Sequence, residues 1–371
     1  MAKKINIGVI FGGKSGEHEV SLVSATSIIE ALDKKKYNVV PVGITKIGNW
    51  LATGDPMKAL KSGKIKYAKK AEVLIPARQG NFLQVGKKKI KIDIVFPVLH
   101  GTYGEDGSIQ GLFEMAGIPY VGAEVLGSAI GMDKVVQKEL YKNIGLNVSK
   151  YIWFFKKDWE KKGESENILR HIEKDIGYPC FVKPANLGSS VGISKAKSKH
   201  DLIKAINLAA KYDEKILAEE AVLNTREIEC AVLGNREPQA LTPGEVIPSG
   251  DFYDYNDKYI DGRAEVIIPP RLPIEMIKEI QESAVKAFKA INCMGMGRVD
   301  FLIDDKSKKI YIGEINTIPG FTSVSMYPKL WEQSGSSYSA LLDELINLAI
   351  LRFKEKQNRL SSYEPDESWY K

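Results

Sequence analysis

The residues best placed to do chemistry lie in Gly297–Asn316, where two short runs flank a polar Asp/Lys/Ser turn. The pattern predicts a β-hairpin. Strand side chains alternate between faces, so Glu314 and Asn316 point the same way. With the turn near Lys306–Ser307, Asp300 falls opposite Glu314, about 5 Å away between Cβ atoms. Arg298 shares the face of Asp300. Two carboxylates and an amide oxygen form a small set of hard donors, which suits Mg²⁺ that also holds substrate phosphates. A solvated hairpin carrying ordinary surface charges is the competing reading.

Other candidate groups sit where predicted strands run into glycine-rich loops. Ile5–Phe11 reads as a buried strand, followed by Gly12-Gly13-Lys14-Ser15-Gly16 and a helix over about Val20–Leu32. That loop fits neither GxGxxG nor GxxxxGK[ST], so it signals neither a dinucleotide site nor a P-loop. It carries Glu17-His18-Glu19 at the helix entrance, where an acidic residue either caps the helix or binds a ligand. Val39–Thr45 is a second strand and Ile92–Leu99 a third. The third runs into the polar loop 100–108 and a helix over Ser108–Ala116. His100 on this loop is either a site residue or a hydrogen-bonded structural histidine.

A helix over about Leu126–Asn143 contains Asp133-Lys134. The pair is either a surface ion pair worth under ~1 kcal/mol or a lysine turned inward to a phosphate. Strands at Tyr151–Phe155 and Cys180–Pro184 lead to the Ala185–Ile193 tip. Its glycines, with Ser189 and Ser190, let backbone N–H groups and hydroxyls fold over a polyphosphate, and Lys183 adds a point charge. After a helix over Lys199–Lys211, the strands Lys215–Val222 and Arg226–Leu233 carry Glu219, Glu220 and Glu227. These are surface carboxylates by default, or groups that grip a ribose. Gly250–Gly262 is a long aromatic and polar segment of the kind used as a lid. A helix over Pro273–Ile291 precedes the hairpin, the loop Thr317–Tyr327 follows it, and a last helix spans about Ser336–Phe353. The lysine-rich stretch 57–91 reads as an edge excursion.

The bulk properties agree with a soluble α/β protein. With 371 residues, 44% hydrophobic and 27% charged, the chain has material for two or three domains. A net charge of +6 spread over lysine clusters without interleaved aromatics argues against a nucleic-acid face and favours small anionic substrates. Cys180, Cys230 and Cys293 lack metal or disulfide spacing, which points to a reducing compartment. The N-terminal apolar run is too short for a signal peptide, and no stretch approaches 18 apolar residues. The expectation is a cytoplasmic protein without a membrane segment.

Five motifs occur in order. They are Gly12-Gly13…Glu17-His18-Glu19-Val20-Ser21, Leu99-His100-Gly101…Gly104-Glu105-Asp106-Gly107, Val182-Lys183-Pro184…Gly188-Ser189-Ser190-Val191-Gly192, Tyr253-Asp254-Tyr255…Lys258-Tyr259, and Gly297-Arg298-Val299-Asp300…Glu314-Ile315-Asn316-Thr317…Pro319-Gly320. Together they resemble the D-alanine–D-alanine ligases of the ATP-grasp class over roughly residues 5–350. The resemblance implies an ATP-grasp fold with an N-terminal open α/β domain (1–122), a central lid domain (123–223) and a C-terminal domain (224–371). It implies ATP-dependent joining of two D-alanines through an acyl phosphate for peptidoglycan precursors, with joining of D-alanine to D-lactate or D-serine as the alternative.

By the same resemblance, Asp300, Glu314 and Asn316 hold two Mg²⁺, with Mn²⁺ as a substitute and a monovalent cation as a further ion. Lys134, Lys183 and Lys258 meet ATP phosphates, and the Ser189-Ser190 tip closes over them. Glu227 binds the ribose and Glu219 the adenine amino group, with Glu220 also in the nucleotide site. Arg298 and the Gly320 N–H stabilise the tetrahedral oxyanion. Glu17, helped by His100, takes the first D-alanine's ammonium, and Ser325 the second one's carboxylate. Glu17, Ser189 and Tyr259 form a triad closing the lid, and the partner is a second copy in a homodimer. The chain departs from the family pattern in a Glu219-to-Glu227 stretch one residue longer, and in Met326 where leucine is usual.

Overall fold

The computed structural model describes residues 3–70, 72–73, 82–85, 87–248, 264–322 and 324–360. The chain begins with β1 (Ile5–Gly12), α1 (His18–Ala31), β2 (Tyr37–Ile44), β3 (Trp50–Gly54), α2 (Pro56–Ser62) and β4 (Ala68–Lys70). The short strands β5 (Glu72–Val73), β6 (Phe82–Val85) and β7 (Lys88–Lys91) form a small antiparallel sheet, then β8 (Ile94–Val98) and α3 (Ser108–Ala116) follow. The first sheet has the order β4-β3-β2-β1-β8, with β1 parallel to both β2 and β8. Strands covered on both faces read as unbroken apolar runs, as Ile7–Phe11 does. The lysine-rich excursion supplies β4 at the sheet edge and the separate three-stranded sheet. At the end of β1, Gly12 has φ +93°, and a Cβ there would come within 2.2 Å of the Ile44 carbonyl. Glycine is needed to turn the chain towards α1.

The expected single helix over Leu126–Asn143 is two, α4 (Val125–Met132) and α5 (Lys134–Asn143). Asp133 breaks it in an extended conformation (φ −93°, ψ 102°), and its carboxylate caps α5 by accepting from the Val135 and Val136 N–H groups at 3.0 and 3.1 Å. Such a cap satisfies amides that otherwise lack partners. It also turns α5 so that Lys134 and Lys138 face inward and are buried.

Next come β9 (Tyr151–Phe155), α6 (Lys156–Trp159), α7 (Glu164–Asp175), β10 (Cys180–Pro184), β11 (Ser194–Ala196), α8 (Lys199–Ala209) and β12 (Lys215–Glu220). They make an antiparallel sheet ordered β11-β10-β12-β9 with its own core of Ile172, Val182, Leu202 and Ile216. The third large sheet contains β13 (Thr225–Gly234), β14 (Gln239–Ala240), β15 (Gly244–Ile247), β16 (Glu265–Ile267), β17 (Gly295–Asp304) and β18 (Ile310–Asn316), ordered β16-β15-β13-β17-β18 with β14 on β13. The helix α9 (Ile274–Ala290) packs its buried Ile280, Ala284 and Phe288 on this sheet.

The chain ends with α10 (Met326–Gln333) and α11 (Tyr338–Gln357). One apolar core runs from Ile7, Phe11 and Phe96 in the first sheet to Phe321, Tyr327 and Leu342 near the C-terminus. Phe96 and Phe321 meet edge to face at 5.8 Å, a geometry the ring quadrupoles favour. Burying each ring contributes about 1.5–3 kcal/mol and fixes the loop after β18 against the first sheet. From α11, buried Arg352 donates to the Gly122 and Tyr120 carbonyls at 2.5 and 2.7 Å. Among the described residues, no helix is long and apolar enough to cross a membrane.

Candidate active site

The hairpin has the expected register: Asp300 lies opposite Glu314 and Arg298 opposite Asn316, with a bulge between Asp300 and Phe301. Bulges re-aim side chains next to functional sites. Arg298 grips Asp300 with two bonds of 2.7 Å and also reaches Glu229 at 3.0 Å. The Asn316 amide donates to Asp300 at 3.0 Å, and Glu314 pairs with Lys134 at 2.9 Å. Among the described residues no group of three or more His, Cys, Asp or Glu is so placed that it could by itself hold a metal ion. The available donors are therefore two carboxylates plus the amide oxygen that Asn316 offers if its planar amide turns over. So sparse a set fits Mg²⁺, which keeps waters and shares its shell with phosphates, better than a cation needing a full protein cage.

One cavity opens on the Asp300–Glu314 side of the hairpin, lined also by Lys134, Lys183, Ser190, Glu219, Glu220 and Glu227. Lys134 is buried and turned inward, its Nζ 2.7 Å from the Leu187 carbonyl, while Asp133 pairs with Lys215 at 2.8 Å. Lys134 is thus turned inward and is not the surface partner of Asp133. Lys183 and Glu219, diagonal neighbours across β10 and β12, form a close ion pair. Burial pushes the Glu219 carboxyl up, but the Lys138 and Lys183 ammonium groups outweigh it and hold it well below the usual range. Burial likewise opposes charge on Lys183, yet Glu219 raises its pKa. Both oxygens of Glu219 are thus taken up by lysines and Ser149.

A second cavity adjoins the first, sharing Gly188, Glu229 and Glu314 with it, and is lined by Glu17, His100, Ser189, Arg298, Gly320 and Ser325. Glu17 occupies the N-cap position of α1, yet its side chain does not cap the helix. It accepts instead a short hydrogen bond from the Ser189 hydroxyl, 172 residues away. Its neighbour Glu19 pairs with Lys46 at 2.6 Å on the surface. Both serines of the tip have positive φ, 49° for Ser189 and 58° for Ser190, a left-handed geometry uncommon for residues with a Cβ.

His100 is buried, with Nδ1 3.1 Å from the Ile318 carbonyl and Nε2 3.2 Å from Ser24 Oγ. A carbonyl only accepts, so Nδ1 donates to Ile318 and the Ser24 hydroxyl donates to Nε2. Burial lowers the imidazole pKa to about 4 against the Ile318 bond, so the ring is neutral at physiological pH. Ser325 Oγ accepts from the Thr322 N–H at 3.1 Å, and a Cβ on Gly320 would sit 2.6 Å from that oxygen. The absent side chain lets residue 320 approach Ser325.

The hairpin trio, Lys134, Lys183, the serine tip and Glu17 are thus gathered around two adjoining cavities. Lys258 and Tyr259 of the lid segment lie outside the described residues. Three further residues belong to the site without having stood out in the sequence. Lys138 is buried against Glu219, and Glu229 is buried against Arg298. Glu105 accepts from the Gly101 N–H at 2.7 Å and the Ile318 N–H at 3.1 Å, joining the two loops of the second cavity. Burial and the charge of Glu17 push its carboxyl up. Glu105 belongs to the glycine-rich loop after Leu99, where nothing local announces a contact across 213 residues.

The family described as D-ala D-ala ligase N-terminus matches residues 6–123, and the one described as D-ala D-ala ligase C-terminus matches residues 140–347. The chain is 52% identical over 365 residues to the D-alanine–D-alanine ligase of Thermoanaerobacter pseudethanolicus, covering 95% of this chain and 99% of the relative. It is 47% identical over 364 residues to the enzyme of that name in Natranaerobius thermophilus, covering 97% and 99%. The fold superposes on the D-alanine-D-alanine ligase of Coxiella burnetii with a TM-score of 0.83 at 37% identity, covering 96% of this chain and 97% of that one. It superposes on the VanG D-Ala:D-Ser ligase of Enterococcus faecalis with a TM-score of 0.82 at 40% identity, covering 94% and 100%.

Proposed function

The chain belongs to the D-alanine–D-alanine ligase family, ATP-dependent enzymes of the ATP-grasp fold, and from this premise we propose how its two cavities divide the reaction. The observation that carries the reading is that Glu314 lines both, with Asp300 and Lys134 on one side and Glu17, Arg298 and Gly320 on the other. A group delivered from the first cavity therefore arrives in the second.

The first cavity takes ATP, with Lys134, Lys183 and Ser190 towards the phosphates and Glu220 and Glu227 at the nucleoside end. Glu219, occupied by lysines, acts there by holding Lys183 rather than by accepting from adenine. Asp300, Glu314 and Asn316 are the groups that would hold Mg²⁺ or Mn²⁺, which when bound neutralises charge on the transferred phosphoryl group. Phosphoryl transfer is catalysed mainly by positioning and charge compensation, which this ring of cations supplies.

In the second cavity Glu17 binds the ammonium of the first D-alanine, and that D-alanine's carboxylate takes the γ-phosphoryl group to give an acyl phosphate and ADP. Ser325 holds the carboxylate of the second D-alanine, whose amine attacks the acyl carbon. Arg298 and the Gly320 N–H receive the oxyanion of the tetrahedral intermediate, which collapses with loss of phosphate and leaves a peptide bond. His100 is neutral, so it shapes the pocket beside Glu17 and contributes no charge. Lys258 reaching the γ-phosphate, and Tyr259 completing a triad with Glu17 and Ser189, are carried over from the resemblance. So are the homodimer and the monovalent cation. Three free, buried cysteines agree with a reducing cytoplasm.

The likeness to a D-Ala:D-Ser ligase favours one second reading, D-serine or D-lactate as the second substrate. The deciding experiment supplies purified protein with ATP, Mg²⁺ and D-alanine, alone and with D-serine or D-lactate, and identifies products by mass. D-alanyl-D-alanine as the main product is expected. A dominant mixed product would move the reading to the second alternative.

A further inference from the structure

Helix α5 sends two lysines four residues apart, Lys134 and Lys138, into the nucleotide cavity. Phosphate chemistry accounts for the first. The second is buried more deeply, with 3% of its side chain exposed against 22% for Lys183. Its Nζ lies 2.8 Å from Glu219 Oε2 and 3.1 Å from Ser149 Oγ, and Ser149 Oγ lies 3.2 Å from the same carboxylate oxygen. The other oxygen, Oε1, holds Lys183. One buried carboxylate is therefore shared by an enclosed ammonium and an accessible one. A buried charge that loses its partner is strongly disfavoured, so the accessible lysine can leave only if the enclosed one stays.

We propose that Lys138 is a positioning residue of the nucleotide site, the fixed counter-cation of Glu219 that lets Lys183 turn to the ATP phosphates. This rests on the reading of the cavity as the nucleotide site. When Lys183 moves to a phosphate oxygen, Oε2 of Glu219 keeps Lys138 and Ser149, so the carboxylate remains ionised and aimed. Without Lys138, Glu219 retains Lys183 and the phosphates lose a cation. Lys138 itself touches no substrate in this scheme.

The test measures ADP binding in the presence of Mg²⁺ by calorimetry, with kcat and KM for ATP alongside, for full-length Lys138→Met, Lys138→Arg, Glu219→Gln and the Lys138→Met/Glu219→Gln double variant. Lys138→Met is expected to weaken ADP at least about tenfold and to raise KM for ATP more than it lowers kcat, with Lys138→Arg recovering part of the loss. Once Glu219 is neutral no counter-cation is needed, so adding Lys138→Met to Glu219→Gln changes affinity less than about twofold. An unchanged affinity in Lys138→Met, or a tenfold loss that persists in the Glu219→Gln background, overturns the proposal. If Lys138→Met does not fold, Ser149→Ala decides by the same measurement, with a loss of about threefold expected and no loss counting against. Binding is read without turnover: a wild type that binds ADP but makes no dipeptide fails the functional reading alone, and one that binds no ADP fails both.

Discussion

The two cavities meet at Glu314 but are built on different principles. The nucleotide side is a set of ready-made ion pairs, Lys134 with Glu314 and Lys183 and Lys138 with Glu219, whose members come from α5, β10, β12 and β18. The pairs of Lys134 and Lys183 each offer a partner that an incoming phosphate can replace, whereas the enclosed Lys138 stays with Glu219. Beside Glu17, Glu229 and Arg298, the amino-acid side is shaped by uncharged groups and main-chain amides: His100 bonded to Ser24 and Ile318, Ser325 with Thr322, and the Gly101 and Ile318 amides joined by Glu105. These contacts tie together loops more than two hundred residues apart. The first cavity is a place of exchange and the second a sized enclosure, as expected where one ligand is highly charged and the other small and zwitterionic.

The difference can be broken most decisively at the seam. Glu314→Gln leaves Lys134 without its carboxylate and removes a candidate metal donor, so kcat should fall about 10³-fold, and chelation followed by added Mg²⁺ should abolish and restore wild-type turnover. Near-normal kcat in the variant would mean that the seam does not carry the transfer. Arg298→Ala, which removes the cation between Glu229 and Asp300 and the proposed oxyanion group, should cost about 10²-fold in kcat, measured at saturating ATP and D-alanine.

The neutral side is tested by pH. His100 has a folded pKa of about 4, below its ordinary value. The unfolded chain therefore binds the proton first as pH falls. The stability contribution is complete above the ordinary histidine pKa and is lost between about 6.5 and 4, by up to about 3 kcal/mol. Denaturant titrations across this range should show a steeper loss for wild type than for His100→Gln, and parallel curves would show that His100 is not the group responsible. The smallest effect belongs to the surface: Glu19→Gln, which breaks only the exposed pair with Lys46, should change stability by less than ~0.5 kcal/mol and leave turnover unaltered.

The hairpin was legible because alternation along a strand and a short polar turn together set register, and a slip by one residue would turn every side chain over. The Asp300–Glu314 pairing followed from that alone. The break at Asp133 was not legible, because apolar spacing continues through it and only the cap reveals the change of direction. Helix α10, whose first two residues fall in the expected loop Thr317–Tyr327, had no legible signal, since it follows a Pro/Gly/Ser stretch and carries Pro328 in its first turn, where proline is tolerated. Around the site, Glu17 and Ser189 were readable through the family resemblance, whereas Lys138 and Glu105 were not singled out. A lysine four residues after another looks like surface decoration until tertiary structure closes over it. The carboxylate of Glu105 serves amides contributed by different ends of the chain.

The bonds from Arg352 to the Gly122 and Tyr120 carbonyls have a bearing on where the chain can be cut. The matched C-terminal family region stops at residue 347, before this arginine, although α11 continues to Gln357. A protein trimmed at that boundary would keep every group in both cavities and still lose the clasp between its last helix and the exit of the first sheet. Phe96 against Phe321 and Arg352 against Gly122 and Tyr120 both tie the first part of the chain to the last, so the final helical turns brace the second cavity from a distance.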